Sequence, residues 1–200
     1  MDAAALLLAA CCAAASKLYR YDPPAPAGVG EPRRISGWLL LVALGVVVGP
    51  ARVAMNLWQV LPAYGLDRWF ALTAPGGAEY HPMWAPALLW ELTANLALLV
   101  GGLLVMVLFF QRRSSVPRLY IGLLVLSVAS QVIDIALQAA VPDLSADGSV
   151  AKQLTRSVLG LLLWGAYFRR SVRVRETFVR RLAPARTAGA SQGPQLDVVI

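Results

Sequence analysis

Residues 92–111, LTANLALLVGGLLVMVLFFQ, decide the fold class of this chain. The stretch contains no aspartate, glutamate, lysine or arginine, and most of its side chains are apolar. An α-helix rises ~1.5 Å per residue, so about twenty apolar residues are needed to cross the ~30 Å hydrocarbon layer of a membrane. The stretch therefore predicts a transmembrane helix, whose full extent we place at residues 87–111.

Three further segments have the length and apolar character of membrane spans if one or two charged side chains are allowed in each. They are residues 37–58, which contain Arg52, residues 119–141, which contain Asp134, and residues 151–168, which contain Lys152 and Arg156 near their start. We therefore predict an all-α fold, namely a four-helix transmembrane bundle.

The composition excludes an ordinary soluble domain. Of the 200 residues, 58% are hydrophobic and 14% are charged, whereas about 25% of the residues in a soluble domain are charged. The mean hydropathy is +0.61. The two cysteines, Cys11 and Cys12, are adjacent, so no framework of disulfides is expected.

Lysine and arginine are concentrated in three of the segments that flank the predicted spans. Residues 17–34, 112–118 and 169–186 together hold fourteen of the eighteen basic residues. Short cytoplasmic segments of membrane proteins are enriched in lysine and arginine, so these three segments are predicted to lie in the cytoplasm. Both termini are then cytoplasmic.

The N-terminal 35 residues are predicted to be an extension outside the membrane domain, either disordered or lying at the membrane surface. Residues 1–15 are apolar but too short to span, and Asp2 stands where a signal peptide would carry basic residues. A proline-rich linker follows. The four-span domain is assigned to residues 36–182, and residues 183–200 are predicted to be disordered.

The segment after the fourth span predicts a basic amphipathic helix. In RRSVRVRETFVRRLAP, at ~100° per residue, Val174, Phe178 and Leu182 share one face. Such a helix would lie on the inner leaflet and contact anionic lipid, its expected partner. The basic residues assigned to this contact are Arg169, Arg170, Arg173, Arg175, Arg180 and Arg181. Nucleic-acid binding is not expected, because no recognised module accompanies the arginines.

Four blocks in order give the chain a family resemblance. They are GWLLLVALGVVVGPAR (37–52), YHPMWAPALLWELTAN (80–95), LFFQRRSSVPRLYIGLL (108–124) and YFRRSVRVRETFV (167–179). Together they resemble the bacterial membrane family catalogued as domain of unknown function 2569. The resemblance covers roughly residues 36–179 and implies a four-helix protein of the bacterial inner membrane. It implies no activity.

Charged side chains inside spans are costly, by ~2.5–3.5 kcal/mol each, and are therefore candidates for function. Counting ~1.5 Å per residue from the ends of the spans places Arg52, Glu91, Asp134 and Arg156 at one level, in the outer third of the bilayer. Asn95 lies one helical turn from Glu91 on the same face. We predict an intramembrane polar cluster of these five residues.

Two interpretations of this cluster remain open. Buried ion pairs between the two arginines and the two carboxylates would hold four helices in register, and this structural interpretation is favoured. The alternative is a site that handles protons or ions, or a polar pocket open to the periplasm.

Gly45 and Gly49 form a GVVVG pattern on the first span, which allows a close approach by another helix. Packing within the bundle is favoured over dimerisation as its explanation.

The sequence predicts no metal site, no cofactor and no catalytic centre. His81 is the one histidine, and no catalytic or nucleotide-binding motif is present. We therefore expect a non-enzymatic protein that binds or regulates a partner in the membrane, either another membrane protein or a second copy of the chain. The alternative is a small transporter, channel or ligand sensor that uses the polar cluster, and an intramembrane enzyme is a third possibility.

Overall fold

The computed structural model describes residues 3–24, 35–77, 79–140 and 148–179. All regular elements in these ranges are helices. They are α1 (Ala3–Arg20), α2 (Trp38–Val60), a 3₁₀ turn (Leu61–Tyr64), α3 (Leu66–Thr73), α4 (Trp84–Phe110), α5 (Val116–Ala139), α6 (Gly148–Arg170) and α7 (Val172–Thr177). The prediction of an all-α fold is confirmed.

Three of the helical segments are long and apolar enough to cross a membrane: Trp38–Tyr64, Trp84–Phe110 and Val116–Ala139. They correspond to the first three predicted spans, and each boundary differs from its prediction by six residues or fewer. The fourth predicted span forms α6, which is 23 residues long but has the polar sequence KQLTRS near its start. That α6 crosses the membrane therefore stays a prediction.

Helix α4 is central to the arrangement, because α1, α2 and α5 all pack against it. Helix α6 packs against α5 on the other side. Two glycines of α4 allow close approaches. A Cβ on Gly102 would lie 3.0 Å from Cγ of Pro50 in α2, and a Cβ on Gly101 would lie 3.0 Å from Cδ1 of Leu123 in α5.

The GVVVG pattern of α2 packs differently from our prediction. A Cβ on Gly45 or Gly49 would meet no atom of the described residues within 4 Å. The interpretation as tight packing within the chain is therefore wrong for this pair. The close α2–α4 contact is formed instead by Gly102 and Pro50, the residue that directly follows the pattern.

One end of the bundle is closed by aromatic side chains, which we call the aromatic core: Phe109, Tyr120, Phe168 and Phe178. The Phe109 and Phe178 ring centroids are 5.2 Å apart, and those of Tyr120 and Phe168 are 4.7 Å apart. Leu39, Val42 and Val46 of α2 complete this cluster. The aromatic core therefore joins α2, α4, α5, α6 and the segment after α6 at one end of the molecule.

Helix α4 ends beside the aromatic core in a Schellman motif. Arg112 has φ +55°, and the amides of Arg112 and Arg113 donate to the carbonyls of Phe109 and Leu108. This tight reversal brings α5 back along α4 after five residues.

The C-terminal segment differs from the predicted surface helix. The helix breaks at Ser171, whose hydroxyl accepts a hydrogen bond from the Val174 amide and starts the short helix α7. Val174 and Phe178 do share a face, but they are 1% and 2% exposed and pack into the aromatic core. The apolar face of the predicted surface helix is therefore covered by the protein itself. Leu182 lies outside the described residues.

The N-terminal segment also differs from the disordered alternative, because residues Ala3–Arg20 form helix α1 and pack against α4. Its C-terminal end is anchored by the buried Arg113, which donates from Nη1 to the Tyr19 carbonyl at 2.8 Å. Nη2 of the same side chain lies 3.8 Å from Oδ1 of Asp22, and Cζ lies 5.1 Å from the centroid of the Tyr19 ring. No periodicity in the sequence indicated this anchor.

Candidate functional site

A cavity of about 970 Å³ lies between α2, α4, α5 and α6, and we call it the polar cavity. Its walls include all five residues of the predicted cluster: Arg52, Glu91, Asn95, Asp134 and Arg156. The equal depths counted from the sequence therefore correspond to one shared space. Further polar residues of the wall are Asn56, Gln59, Ser127, Ser130, Gln131, Lys152, Gln153 and Ser157.

Pro50 and Gly102 position the α2 side of the cavity. Their contact brings α2 against α4 just before Arg52, so the close packing of the two helices ends where the cavity begins. Proline inside a helix also leaves one backbone carbonyl without its usual donor, which permits a bend at this point. Arg52 itself is exposed.

Amide side chains connect α2 to α4 across the cavity. Nδ2 of Asn56 donates to Oδ1 of Asn95 at 3.4 Å, and Nδ2 of Asn95 donates to the Glu91 carbonyl at 2.9 Å. These bonds orient Asn95, and neither of them involves the carboxylate of Glu91. Above them, the Tyr64 hydroxyl donates to the Leu88 carbonyl at 2.9 Å and holds the 3₁₀ turn against α4.

A reciprocal pair connects α5 to α6. Nε2 of Gln131 donates to Oγ of Ser157 at 3.0 Å, and the Ser157 hydroxyl donates to Oε1 of Gln131 at 3.1 Å. Gln131 precedes Asp134 by three residues and therefore lies on the same helix face. The pair fixes α6 beside α5 at the level of the charged residues.

The charged residues of the cavity do not form the expected ion pairs. Within the described ranges, the ion pairs with N–O distances up to 4.0 Å are Arg68–Glu79 and Arg113–Asp22, both outside the cavity. Glu91 and Asp134 instead both line the cavity without a basic partner within this distance in the described structure. The indole nitrogen of Trp90, the residue before Glu91, is buried and has no hydrogen-bond partner among the described residues.

The cavity carries a small positive excess. Arg52, Lys152 and Arg156 contribute three positive charges, and Glu91 and Asp134 contribute two negative ones, which leaves a net charge of +1. The two carboxylates are partly buried, whereas the three basic side chains are exposed. The arrangement can bind a small solute that bears an anionic group, and the carboxylates can accept hydrogen bonds from a cationic one.

Sequence reasoning missed the amide and hydroxyl residues that build the cavity wall. Asn56, Gln131 and Ser157 are uncharged, so a search for charges inside spans passes over them. For Asn56 and Gln131, the spacing from a charged residue of the same helix was a usable signal. Asn56 lies four residues after Arg52, and Gln131 lies three before Asp134, which places each on the face of a charged residue already found.

The basic tail residues within the described range, Arg169, Arg170, Arg173 and Arg175, are exposed. Nη1 of Arg173 donates to the Ser36 carbonyl at 3.4 Å, which ties α7 to the start of α2. Arg180 and Arg181 lie outside the described residues. The contact of these arginines with lipid stays a prediction.

The loop after α2 forms the short helix α3 and a turn at Pro75–Gly76, where Gly76 has φ +91°. Nη1 of Arg68 lies 2.7 Å from Oε1 of Glu79 and bridges the loop. Nδ1 of His81 accepts a hydrogen bond from the Met83 amide at 3.2 Å. Among the residues with described positions, no group of three or more histidine, cysteine or acidic side chains could hold a metal ion.

Comparison with known proteins agrees with the membrane assignment. "Inner membrane protein YdgK" of Escherichia coli (strain K12) is 30% identical over 148 residues, which are 74% of this chain and 95% of that protein. No solved structure matches. Residues 32–179 match the family model described as "Protein of unknown function (DUF2569)". The predicted resemblance is confirmed, and the chain is a membrane protein that belongs to this family.

Proposed function

We propose that this protein is a non-enzymatic inner-membrane protein that binds a small charged solute in the polar cavity. The observation that carries the proposal is the set of charges around the cavity, which come from four helices and are not paired with one another within 4.0 Å in the described structure. A purely structural cluster would recover the cost of burying these charges through ion pairs. In the proposed site, hydration or a bound solute offsets the free-energy cost of burying these charges.

The proposal includes the topology predicted from the sequence. Helices α2, α4, α5 and α6 are taken as four spans, with the α1–α2 linker, the α4–α5 turn and the C-terminal segment in the cytoplasm. Leu159, Leu162 and Leu163 of α6 are 59–63% exposed, which supports contact of this helix with lipid. The aromatic core then closes the cytoplasmic end, and the polar cavity opens toward the periplasm.

Helix α1 is not one of these four spans. Helix α1 is anchored through Tyr19 at the α4–α5 turn, and Cys11, two turns earlier, lines the same cavity as Ala97 of α4. Helix α1 therefore runs in the same direction as α4, with its N-terminal end pointing away from the cytoplasmic side. We therefore propose that α1 is embedded in the membrane and that only the linker after it is cytoplasmic, which departs from the cytoplasmic N-terminus predicted from the sequence.

Water access to the cavity tests the proposal. In a Cys11→Ser, Cys12→Ser background, Gln59→Cys in α2 and Gln153→Cys in α6 place a thiol on the cavity wall. A membrane-impermeant maleimide added to spheroplasts is expected to label both. Leu44→Cys, on the apolar outer face of α2, is the matched control and is expected to stay unlabelled. Labelling of the cavity thiols in inside-out vesicles alone would contradict the topology.

Solute binding is tested by the thermal stability of the purified protein. We expect an amino acid, a dicarboxylate or inorganic phosphate to raise the unfolding temperature. Arg52→Gln or Asp134→Asn should abolish that increase. Arg68→Gln is the matched control, because Arg68 is an exposed arginine of the outer loop, away from the cavity. Solute binding would be refuted if a ligand still raised the unfolding temperature of both cavity variants. It would also be refuted if the cavity thiols stayed unlabelled and no ligand raised the unfolding temperature.

A second candidate function is binding of a helical partner by α2, the function first expected from the sequence. The observation that favours it is the open face of α2 at Gly45 and Gly49, flanked by Leu41 and Leu44, which are 50% and 61% exposed. Small residues allow close helix–helix approach in membranes. Crosslinking from Val48→Cys in native membranes should yield one stoichiometric adduct if α2 has a partner, and Gly45→Leu should remove it.

A further inference from the structure

A second cavity, of about 360 Å³, lies on another side of the molecule and shares no residue with the polar cavity. It is a groove between α1, α4 and α5, and we call it the lateral groove. Its α1 wall is formed by Cys11, Ala14, Ala15 and Leu18. Its α4 wall is formed by Ala97, Val100, Gly101, Leu104 and Val105. Leu119, Gly122, Leu123 and Leu126 line the α5 side, with Arg118 at one end.

The lining combines small residues with branched apolar ones. Ala14, Ala15 and Gly101 keep the helix backbones at the floor of the groove free of bulky side chains. A Cβ on Gly122 would meet no described atom within 4 Å, so the groove has unused room at α5. Leu18 and Leu126 at its edges are 43% and 37% exposed, which leaves the groove open sideways.

Arg118 is the charged residue of this lining. Its Nη1 donates to the Tyr21 hydroxyl at 2.7 Å, and no carboxylate of the described structure lies within 4.0 Å of it. The side chain is exposed. Its positive charge therefore lies uncompensated at the end of an apolar groove.

The charged end of the groove coincides with the proposed cytoplasmic membrane surface. Arg118 follows the α4–α5 turn, and the last turn of α1, with the exposed Lys17 and Arg20, ends at the same turn. Basic residues at this level attract anionic lipid headgroups. The apolar part of the groove extends from there toward the middle of the bilayer.

We propose that the lateral groove binds one anionic phospholipid of the inner leaflet, with an acyl chain between α1 and α5 and the phosphate at Arg118. The groove volume lies at the lower end of the ~300–1,000 Å³ range of small-molecule sites, and its apolar lining excludes a polar solute. A guanidinium that already donates to Tyr21 retains further N–H groups for a phosphate oxygen.

Helix α1 is necessary for this site, since it supplies one wall. The family match begins at residue 32, so α1 lies outside the matched region. The proposed lipid site is therefore a property of this chain and is not inferred from its family.

Native mass spectrometry of the full-length protein in detergent tests the site, with phosphatidylglycerol and phosphatidylethanolamine of identical acyl chains added in turn. We expect tighter binding of phosphatidylglycerol. Arg118→Gln should weaken phosphatidylglycerol binding about five-fold, because a basic residue near the membrane surface contributes ~1 kcal/mol to anionic-lipid binding. Arg118→Lys should keep the preference. Arg68→Gln, at an exposed arginine that lies outside both cavities and is not assigned to lipid contact, is the matched control and should have a smaller effect.

Gly122→Leu tests the acyl chain separately from the charge. It fills the groove and should reduce the binding of both lipids, whereas Gly160→Leu, at an equally open glycine of α6, should not. Equal effects of Arg118→Gln and Arg68→Gln, or of the two leucine variants, would overturn the proposal. So would a dimer that forms with loss of bound lipid, since a second copy would then fill the groove. Asp134→Asn should leave lipid binding unchanged, which separates this site from the polar cavity.

Discussion

The two ends of the bundle are built from the same helices but are held together in different ways. At one end the aromatic core fills the space between α2, α4, α5 and α6 with ring contacts of 4.7 and 5.2 Å. At the other end the same helices surround a cavity of about 970 Å³ lined by charged and amide side chains. Packed aromatic rings close the first end, and charged side chains that form no ion pairs with one another in the described structure line the open second end.

The difference shows where stability and function are expected to reside. Helix association in a membrane depends mainly on van der Waals packing, because lipid tails are as apolar as leucine side chains. The aromatic core should therefore supply most of the stability that holds the helices together. Changes at the polar cavity should affect binding more than folding.

The largest effect is expected at the centre of the aromatic core. Phe109→Ala should lower the free energy of unfolding by about 3–5 kcal/mol, because Phe109 is fully buried and its removal leaves a cavity. Phe110→Ala is the matched control. The ring of Phe110 neighbours that of Phe109 but is 54% exposed on the outer face of α4. Unfolding in mixed micelles measures both. Similar losses from the two variants would show that the aromatic core does not dominate stability.

The next effect is expected where α2 meets α4, between the two ends. Gly102→Val should destabilise the protein by about 1–3 kcal/mol, because its Cβ would already approach Pro50 to 3.0 Å. Gly45→Val, on the open face of α2, is expected to leave the unfolding transition nearly unchanged in the monomer. Thermal unfolding in detergent provides the measurement. A reversed order of the two variants would contradict the packing of these helices.

A smaller effect is expected from the hydrogen bonds that attach α6 at the open end. The coupling energy between Gln131→Leu and Ser157→Ala should be about 0.6 kcal/mol, the average for such pairs in membrane proteins. A double-mutant cycle based on chemical unfolding isolates it. Strictly additive effects would mean that the Gln131–Ser157 pair does not hold α6 at this level.

The smallest effect on stability is expected for the charge at the cavity wall. Asp134→Asn should change the free energy of unfolding by less than about 0.5 kcal/mol, because its carboxylate has no ion-pair partner in the described structure. Breaking a buried ion pair would instead cost about 3–5 kcal/mol. Unfolding at pH 7 distinguishes the two values. A loss in the larger range would restore the structural interpretation that the sequence favoured.

Much of the helical framework could be predicted, because span length and apolar character depend on the chain alone. Residues 92–110 of the first predicted span segment lie inside α4, which extends from Trp84 to Phe110. Residue counting also placed Arg52 and Asp134 at one depth, since the rise per residue of a helix is fixed. Each of these predictions uses a quantity that packing does not change.

Predictions about contacts between helices were less successful. The GVVVG pattern shows that a close approach is possible at Gly45 and Gly49, but the chain packs through Gly102. The pattern of Val174 and Phe178 marks an apolar face, but periodicity does not say whether lipid or protein covers it. The length and charges of residues 1–20 predict an extension outside the membrane domain. Neither property reveals the surface of α4 against which helix α1 packs.

The sequence by itself determined the membrane environment and the helical class, because hydrophobic length and helical periodicity are local properties. Only the tertiary structure decided that the charged residues surround a cavity without pairing, that α7 packs into the aromatic core, and that α1 lies against α4. These outcomes depend on the directions of side chains and on the distances between helices. Both are set by packing among residues far apart in the chain.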